Sequence, residues 1–212
     1  MNRPPTTLQE WISPKYLSTS ELERFKKLFF AQQPFPHLEC KNFFRKEKII
    51  LVVKALAGEK FISQQADLFK FKQAGDLAAA QSKVLREFRS FLISAEFITY
   101  MNYITSTVLK PKSIDMSGTL YENTDYLLCH DDQLESRKIA YFLYLSDLNK
   151  NDGGALHLFS SKPGVPTPAE VTIIPTFNTF AFFLVSNSSF HEVEEVVRDV
   201  QRIAISGWFH DQ

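Results

Sequence analysis

Glycine is scarce in this chain of 212 residues, with 7 copies, and cysteine is scarcer, with 2. So few glycines, together with only 10 prolines, exclude a collagen-like or linker-type chain. Two thiols, Cys40 and Cys129, could close one bridge but cannot build a disulfide framework, so a reducing compartment is expected. Charge of one sign is lacking too: Lys+Arg and Asp+Glu both number 24, for a net charge of zero. Without a basic field, direct binding to nucleic acid is not expected, although a nucleoprotein could still be met through its protein component. Long apolar runs are missing. The strongest, Ile49–Val53 and Phe180–Val185, are far too short to span a bilayer, and no apolar signal segment follows Met1-Asn2-Arg3-Pro4-Pro5. These absences lead to an expectation of no membrane association and a cytoplasmic location.

What the chain does have is 44% apolar residues and 20 phenylalanines, which exclude disorder and predict a bulky, aromatic-rich core. One domain over 1–212 is expected, in two parts. Over 1–110 helical spacing dominates. Ser18-Thr19-Ser20-Glu21 reads as a capping box before Leu22, Phe25, Leu28 and Phe29, and Pro34-Phe35-Pro36 stops that helix. Ile49, Ile50, Val53 and Leu56 make a second stripe closed by Gly58, Asp76 can cap a third helix carrying Leu77, Val84, Leu85, Phe88 and Leu92, and Ala95–Thr105 makes a fourth.

After Pro111 the pattern turns to short β-branched and aromatic runs. Candidate strands are Thr119–Glu122, Tyr126–Asp132, Lys138–Ser146, Ala155–Phe159, Val171–Ile174, Thr179–Val185, Phe190–Val197 and Arg202–His210. Turn residues separate them, and Ser160–Pro168 reads as a plain connection rather than a lid. About eight short strands in succession suggest a closed or double-sheet β fold, with the helices as a buttress on one sheet face.

Within that frame, His130 and Asp132 stand two apart at the end of a strand, so both side chains are expected on one face. His191 opens a later strand and Arg202 the next one. Two imidazoles and a carboxylate make the facial set that holds Fe(II) on three sites and leaves the others open. Taken alone, an H-x-D pair is equally a turn cap beside a solvated carboxylate, and His191 and Arg202 each have ordinary readings. Arg202 adds something that metal binding does not require. It shares a strand face with Ala204, Ser206 and Trp208, opposite an apolar face of Ile203, Ile205 and Phe209, so it is expected to point into a pocket. A buried guanidinium needs an anion, and a carboxylate is its best geometric match. A dicarboxylate that chelates iron at one end and meets Arg202 at the other is 2-oxoglutarate. Tyr144, on the strand face with Ala140 and Phe142, could donate to the same far carboxylate or be a plain core tyrosine. Dry walls are expected from Phe142, Phe182 and Trp208. His157 reads as an ordinary strand histidine, His37 and His210 as surface or turn positions, and Cys129 as lying on the wrong face to be a ligand.

The runs Tyr121–Asp132, Arg137–Leu145, Gly153-Gly154-Ala155-Leu156 and Arg202–His210, with Ala66–Leu77 upstream, resemble the Fe(II)/2-oxoglutarate prolyl hydroxylases, and within them the ribosomal prolyl 3-hydroxylases. The resemblance runs from about Pro34 to His210. It implies a mainly β double-stranded β-helix (a cupin-like jelly roll), with N-terminal helices packed on one sheet. It also implies His130, Asp132 and His191 on Fe(II), with Arg202 and Tyr144 on 2-oxoglutarate. O2 would be consumed, ascorbate would support turnover, and the partner would be a peptide or protein with a target proline, in this subgroup a small-subunit ribosomal protein. Eukaryotic members carry a second, non-catalytic jelly roll, and this chain is expected to be a single-domain relative. Three other readings stay open on sequence: a cupin-like enzyme using Zn, Ni or Mn, an oxygenase acting on free proline, and a non-catalytic binding module.

Overall fold

The computed structural model describes residues 7–134, 136–162 and 164–211. Five α-helices are present among them: α1 (Thr7–Trp11), α2 (Thr19–Ala31), α3 (Lys46–Leu56), α4 (Lys83–Leu92) and α5 (Ala95–Thr105). The strands are β1 (His37–Lys41), β2 (Phe61–Ala66), β3 (Phe69–Asp76), β4 (Ser117–Tyr121), β5 (Tyr126–His130), β6 (Arg137–Tyr144), β7 (Leu156–Lys162), β8 (Val165–Ile173), β9 (Thr179–Leu184), β10 (His191–Val193) and β11 (Arg202–His210).

All pairings are antiparallel, in the order β1-β9-β6-β11-β4-β3-β5-β10-β7-β8, with β2 added outside β3. Strand β3 is the corner. It pairs with β4 through Lys72 and Gln73, and with β5 through Phe69 and Lys70. It thereby joins the broad sheet, β2-β3-β4-β11-β6-β9-β1, to the narrow one, β5-β10-β7-β8. The result is the double-stranded β-helix with N-terminal helices. No helix among the described residues is long and apolar enough to cross a membrane.

Alternation along three central strands decides which side meets the helices. Ile139, Tyr141 and Leu143 of β6, Phe180 and Phe182 of β9, and Ile205 and Phe209 of β11 bury against the helices in one core. Phe180 is its hub, with ring centroids 5.1 Å from Phe43, 5.5 Å from Phe44 and 5.4 Å from Phe182. The alternate residues Ala140, Tyr144, Ala181, Phe183 and Ala204 line the inside of the roll.

Several expectations need correction. The part over 1–110 is not all helix, since it holds β1, β2 and β3. Strand β1 is only five residues long, β2 is an outlying strand with two Gln and little burial, and the alternation in β3 is confined to Phe69-Lys70-Phe71-Lys72. The buried stripe of α3 is Ile49, Val52 and Leu56, while Ile50 is exposed. Asp76 caps a single 3-10 turn over Leu77–Ala79, accepting from the Ala78 N–H at 2.8 Å, and α4 starts later, behind Ser82. Ser160–Pro168 is the hairpin connection expected, but most of it is strand rather than loop, forming the far end of the β7–β8 hairpin. The capping of α2 by Ser18, which accepts from the Glu21 N–H, and the span of α5 agree with the sequence reading.

Candidate metal and 2-oxoglutarate site

His130 closes β5 and faces His191 of β10 across the narrow sheet. The register shifts by one residue between that pair and Val193↔Leu127. This bulge turns Leu127 and His130, three apart, toward the same pocket. Asp132 lies beyond the strand, so the period-two argument that joined it to His130 does not apply. Its backbone is left-handed, with φ of 60°, a conformation that Asp tolerates better than most residues, and this turn swings the carboxylate back over the strand end.

The three groups converge. His130 Nε2 is 3.3 Å from Asp132 Oδ1, and His191 Nε2 is 3.4 Å from Asp132 Oδ2. One donor atom from each residue lies within 4.8 Å of the others, the spacing a single metal ion requires. The imidazole protons are oriented by the backbone. His130 Nδ1–H donates to the Leu128 carbonyl and His191 Nδ1–H to the Ser189 carbonyl, both at 2.8 Å. A carbonyl can only accept, so Nδ1 carries a hydrogen in both rings and Nε2 is the atom turned to Asp132: protonated, it donates to the carboxylate, and deprotonated, it offers the lone pair a metal needs. The Phe183 ring, 4.6 Å from that of His191, packs the imidazole in place.

Asp132 is buried, which by itself raises a carboxyl pKa, yet hydrogen bonding and charge from His130 and His191 hold it far below the usual range. The same partnership raises His130 even though burial opposes it. Trp208 Nε1–H also donates to Asp132 Oδ2 at 2.8 Å, and the Arg137 guanidinium stacks on the Trp208 ring at 3.4 Å.

Arg202 opens β11 inside the roll and is 1% exposed. Its Nε–H donates to the Gly154 carbonyl at 2.7 Å, and its guanidinium lies 4.9 Å from the Tyr121 ring and 5.2 Å from the Tyr144 ring. Gly154 is left-handed at φ of 73°, and a Cβ there would meet Arg202 Cδ at 3.1 Å, so glycine is what permits this approach. No carboxylate among the described residues pairs with Arg202. Its Nη2 and the Tyr144 hydroxyl are both buried without a hydrogen-bond partner. Burial pushes the Tyr144 phenol up to about 12, against the lowering influence of Arg202, so it remains a proton donor. Two orphaned donors side by side match the donor half of a carboxylate site. Arg202, His130, Asp132 and His191 line one pocket, and Tyr144 lies fully buried beside Arg202. The residues present therefore fit both a facial metal and a keto-diacid.

The structure brings together all five residues singled out in the sequence. It corrects one wall: Phe182 faces the helices, stacking on Phe29 at 5.7 Å, because it pairs with Tyr141. Its neighbour Phe183 takes the inward place, with Phe142 and Trp208 partly buried on the same side. His37 is buried rather than a surface or turn residue. His157, hydrogen-bonded with Thr172, and Cys129 stay outside the metal-spaced group. Sequence reasoning missed Arg137, the Gly154 carbonyl and the Trp208–Asp132 bond. Only Trp208 left a signal, as a residue on Arg202's own strand face.

Residues 116–210 match the 2OG-Fe(II) oxygenase superfamily. The chain is 38% identical over 191 residues to the prolyl 3-hydroxylase OGFOD1 of Xenopus laevis, covering 88% of this chain and 37% of that protein. It is 34% identical over 197 residues to the prolyl 3,4-dihydroxylase OGFOD1 of Ostreococcus tauri, covering 84% of this chain and 38% of that one. The chain thus spans well under half the length of these relatives. Its fold is similar to a Trichoplax adhaerens prolyl hydroxylase solved with a hypoxia inducible factor peptide, at a TM-score of 0.70 and 17% identity, covering 94% of this chain and 96% of that one. A Pseudomonas putida prolyl-4-hydroxylase gives a TM-score of 0.68 at 17% identity, covering 89% of this chain and 99% of that one.

Proposed function

We propose that this chain, whose residues 116–210 match the 2OG-Fe(II) oxygenase superfamily, hydroxylates a prolyl residue of a peptide or protein, with 2-oxoglutarate and O2 as cosubstrates and succinate and CO2 as coproducts. The observation that carries this reading is that the metal-spaced His130, Asp132 and His191 share one pocket with Arg202, whose unsatisfied Nη2 lies beside the equally unsatisfied hydroxyl of buried Tyr144.

In this reading His130 and His191 supply neutral Nε2 atoms to Fe(II), and Asp132 supplies one carboxylate oxygen. Bound there, the iron would supply the oxidising chemistry that inserts oxygen into a prolyl C–H bond. Arg202 and Tyr144 receive the distal carboxylate of 2-oxoglutarate, the guanidinium giving charge and the phenol a directional hydrogen bond. Phe142, Phe183 and Trp208 keep water from the reacting centre. No protein acid or base is required. The residues therefore act by geometry, anion anchoring and exclusion of solvent. The intact set argues against a non-catalytic module, and the orphaned Arg202 argues against a metalloenzyme that dispenses with 2-oxoglutarate.

Finer points belong to the same proposal. The target is a small-subunit ribosomal protein, in line with the similarity to prolyl 3-hydroxylases. Residues 1–212 act as one catalytic domain, and ascorbate sustains turnover by keeping the iron reduced. A cytoplasmic location is supported by Cys40 and Cys129 both being free thiols, and direct contact with nucleic acid or membrane is not expected. The test is to incubate the protein with Fe(II), 2-oxoglutarate, O2 and small ribosomal subunits from its source. One added oxygen on a proline, with stoichiometric succinate, is expected for the wild type and not for His191→Ala. Absence of both products in the wild type overturns the reading.

A further inference from the structure

Among the described residues the sheet system ends in three free strand edges, β1, β8 and β2, and they are not treated alike. Strand β1 carries Glu39 and Lys41 and has α2 packed near it. Strand β8 contains Pro166 and Pro168, which cannot donate to a new neighbour. Charges and prolines of this kind are how β proteins prevent unwanted strand pairing. Strand β2 has neither. Its sequence Phe61-Ile62-Ser63-Gln64-Gln65-Ala66 is uncharged, it pairs with β3 without a bulge, and it makes no other strand pairing. Ile62 is 53% exposed.

That unblocked edge adjoins the catalytic pocket. Ile62 pairs with Gln73 and Gln64 with Phe71, and Gln73 and Phe71 both line the pocket, so the inward face of β2 continues its wall. A surface groove containing Ile62, Gln64, Gln73, Ser117 and Trp208 runs out from it, sharing the last three with the pocket. Asp76 and Asp115 line the same groove, so two amides, a hydroxyl, an isoleucine, an indole and two carboxylates suit a polypeptide backbone with modest apolar or basic side chains, not a small anion.

From these observations we infer that the polypeptide substrate docks as an added strand on the free edge of β2 and reaches the pocket along this groove. The inference rests on the hydroxylase reading above and specifies how its substrate is held. Strand spacing sets its scale. An added strand lies three spacings of about 4.8 Å, hence about 14 Å, from the pocket wall on β4. An extended chain advances about 3.3 Å per residue, so at least about four residues separate the docked stretch from the reacting proline. Recognition is then bipartite: main-chain bonds on β2 give affinity, and the pocket selects the proline.

The test uses 20-residue peptides tiling the proline-containing segments of small-subunit ribosomal proteins, each with one central proline. Binding to the whole chain is read by fluorescence anisotropy, and hydrogen exchange is followed over 61–66. Expected are slowed exchange in that stretch on binding, at least tenfold weaker binding by the Ile62→Lys/Gln64→Lys double variant, and equal weak binding of five-residue peptides to both proteins. Peptides that bind with the β2 amides unprotected, or equally well to the folded variant, overturn the inference. So does failure of every peptide to bind the wild type. Metal-dependent 2-oxoglutarate binding, measured by calorimetry on the same two proteins, is expected to be unchanged by the substitutions. Its absence in the wild type sinks the hydroxylase reading instead.

Discussion

Trp208 donates its indole N–H to Asp132 Oδ2 at 2.8 Å, while the guanidinium of Arg137 covers the same indole ring at 3.4 Å. One oxygen of the carboxylate is thereby held by the protein. Supporting hydrogen bonds to a ligand of this kind are worth 10- to 100-fold in metal affinity. Trp208→Phe keeps the ring and removes the donor, and is expected to weaken Mn(II) binding about tenfold in a calorimetric titration. An unchanged affinity would show that the bond is incidental.

Tyr144→Phe separates ligand binding from stability. Its hydroxyl is buried and has no partner, so removing it discards an unsatisfied polar group. The variant is expected to melt at or above the wild-type temperature without ligand. With metal bound, it should lose about 10- to 150-fold in 2-oxoglutarate affinity, in line with about 1.5–3 kcal/mol for a hydrogen bond to a charged group. A fall in both quantities would mean that the phenol acts only as packing.

Phe180 tests the buttress. It is fully buried and touches rings from both the helices and the sheet. Phe180→Ala is expected to destabilise the chain by about 3–5 kcal/mol in urea unfolding. A loss below about 1 kcal/mol would show that the helices contribute little to holding the broad sheet.

How much of this was legible beforehand follows from where each signal sits. Strand β11 was readable residue for residue, because Ile203, Ile205 and Phe209 oppose Arg202, Ala204 and Ser206, and one face meets the helices while the other meets the pocket. Helix α2 was readable from its cap and apolar spacing, α5 from its apolar spacing, and α3 in its existence but not in its buried stripe. The β2–β3 hairpin was not: β2 lies at the outside and buries little, and the alternation of Phe69-Lys70-Phe71-Lys72 in β3 is too short to stand out beside the helical spacing around it. The metal residues were found for a partly mistaken reason. Asp132 reaches the site through a left-handed residue past the strand end, and His130 through a bulge, and neither feature has a sequence signature. Arg137 and the Gly154 carbonyl act through tertiary placement alone.

His37 gives a pH dependence away from the metal. Burial lowers its pKa from the usual 6.5, outweighing the bond its Nδ1–H donates to the Phe35 carbonyl. The folded chain therefore binds this proton less tightly than the unfolded chain. The stability involved is complete above about pH 6.5 and declines as the pH falls below it. Between pH 7 and pH 5 the urea midpoint is expected to fall more steeply in the wild type than in His37→Gln. Parallel slopes would show that His37 binds its proton equally tightly in the folded and unfolded chains.

The most direct measurement is calorimetric titration of 2-oxoglutarate into the chain with Mn(II) bound, without metal, and in Arg202→Leu. Saturable binding that requires the metal and disappears with Arg202 is the predicted result. Binding that ignores the metal, or survives loss of the guanidinium, would contradict the account.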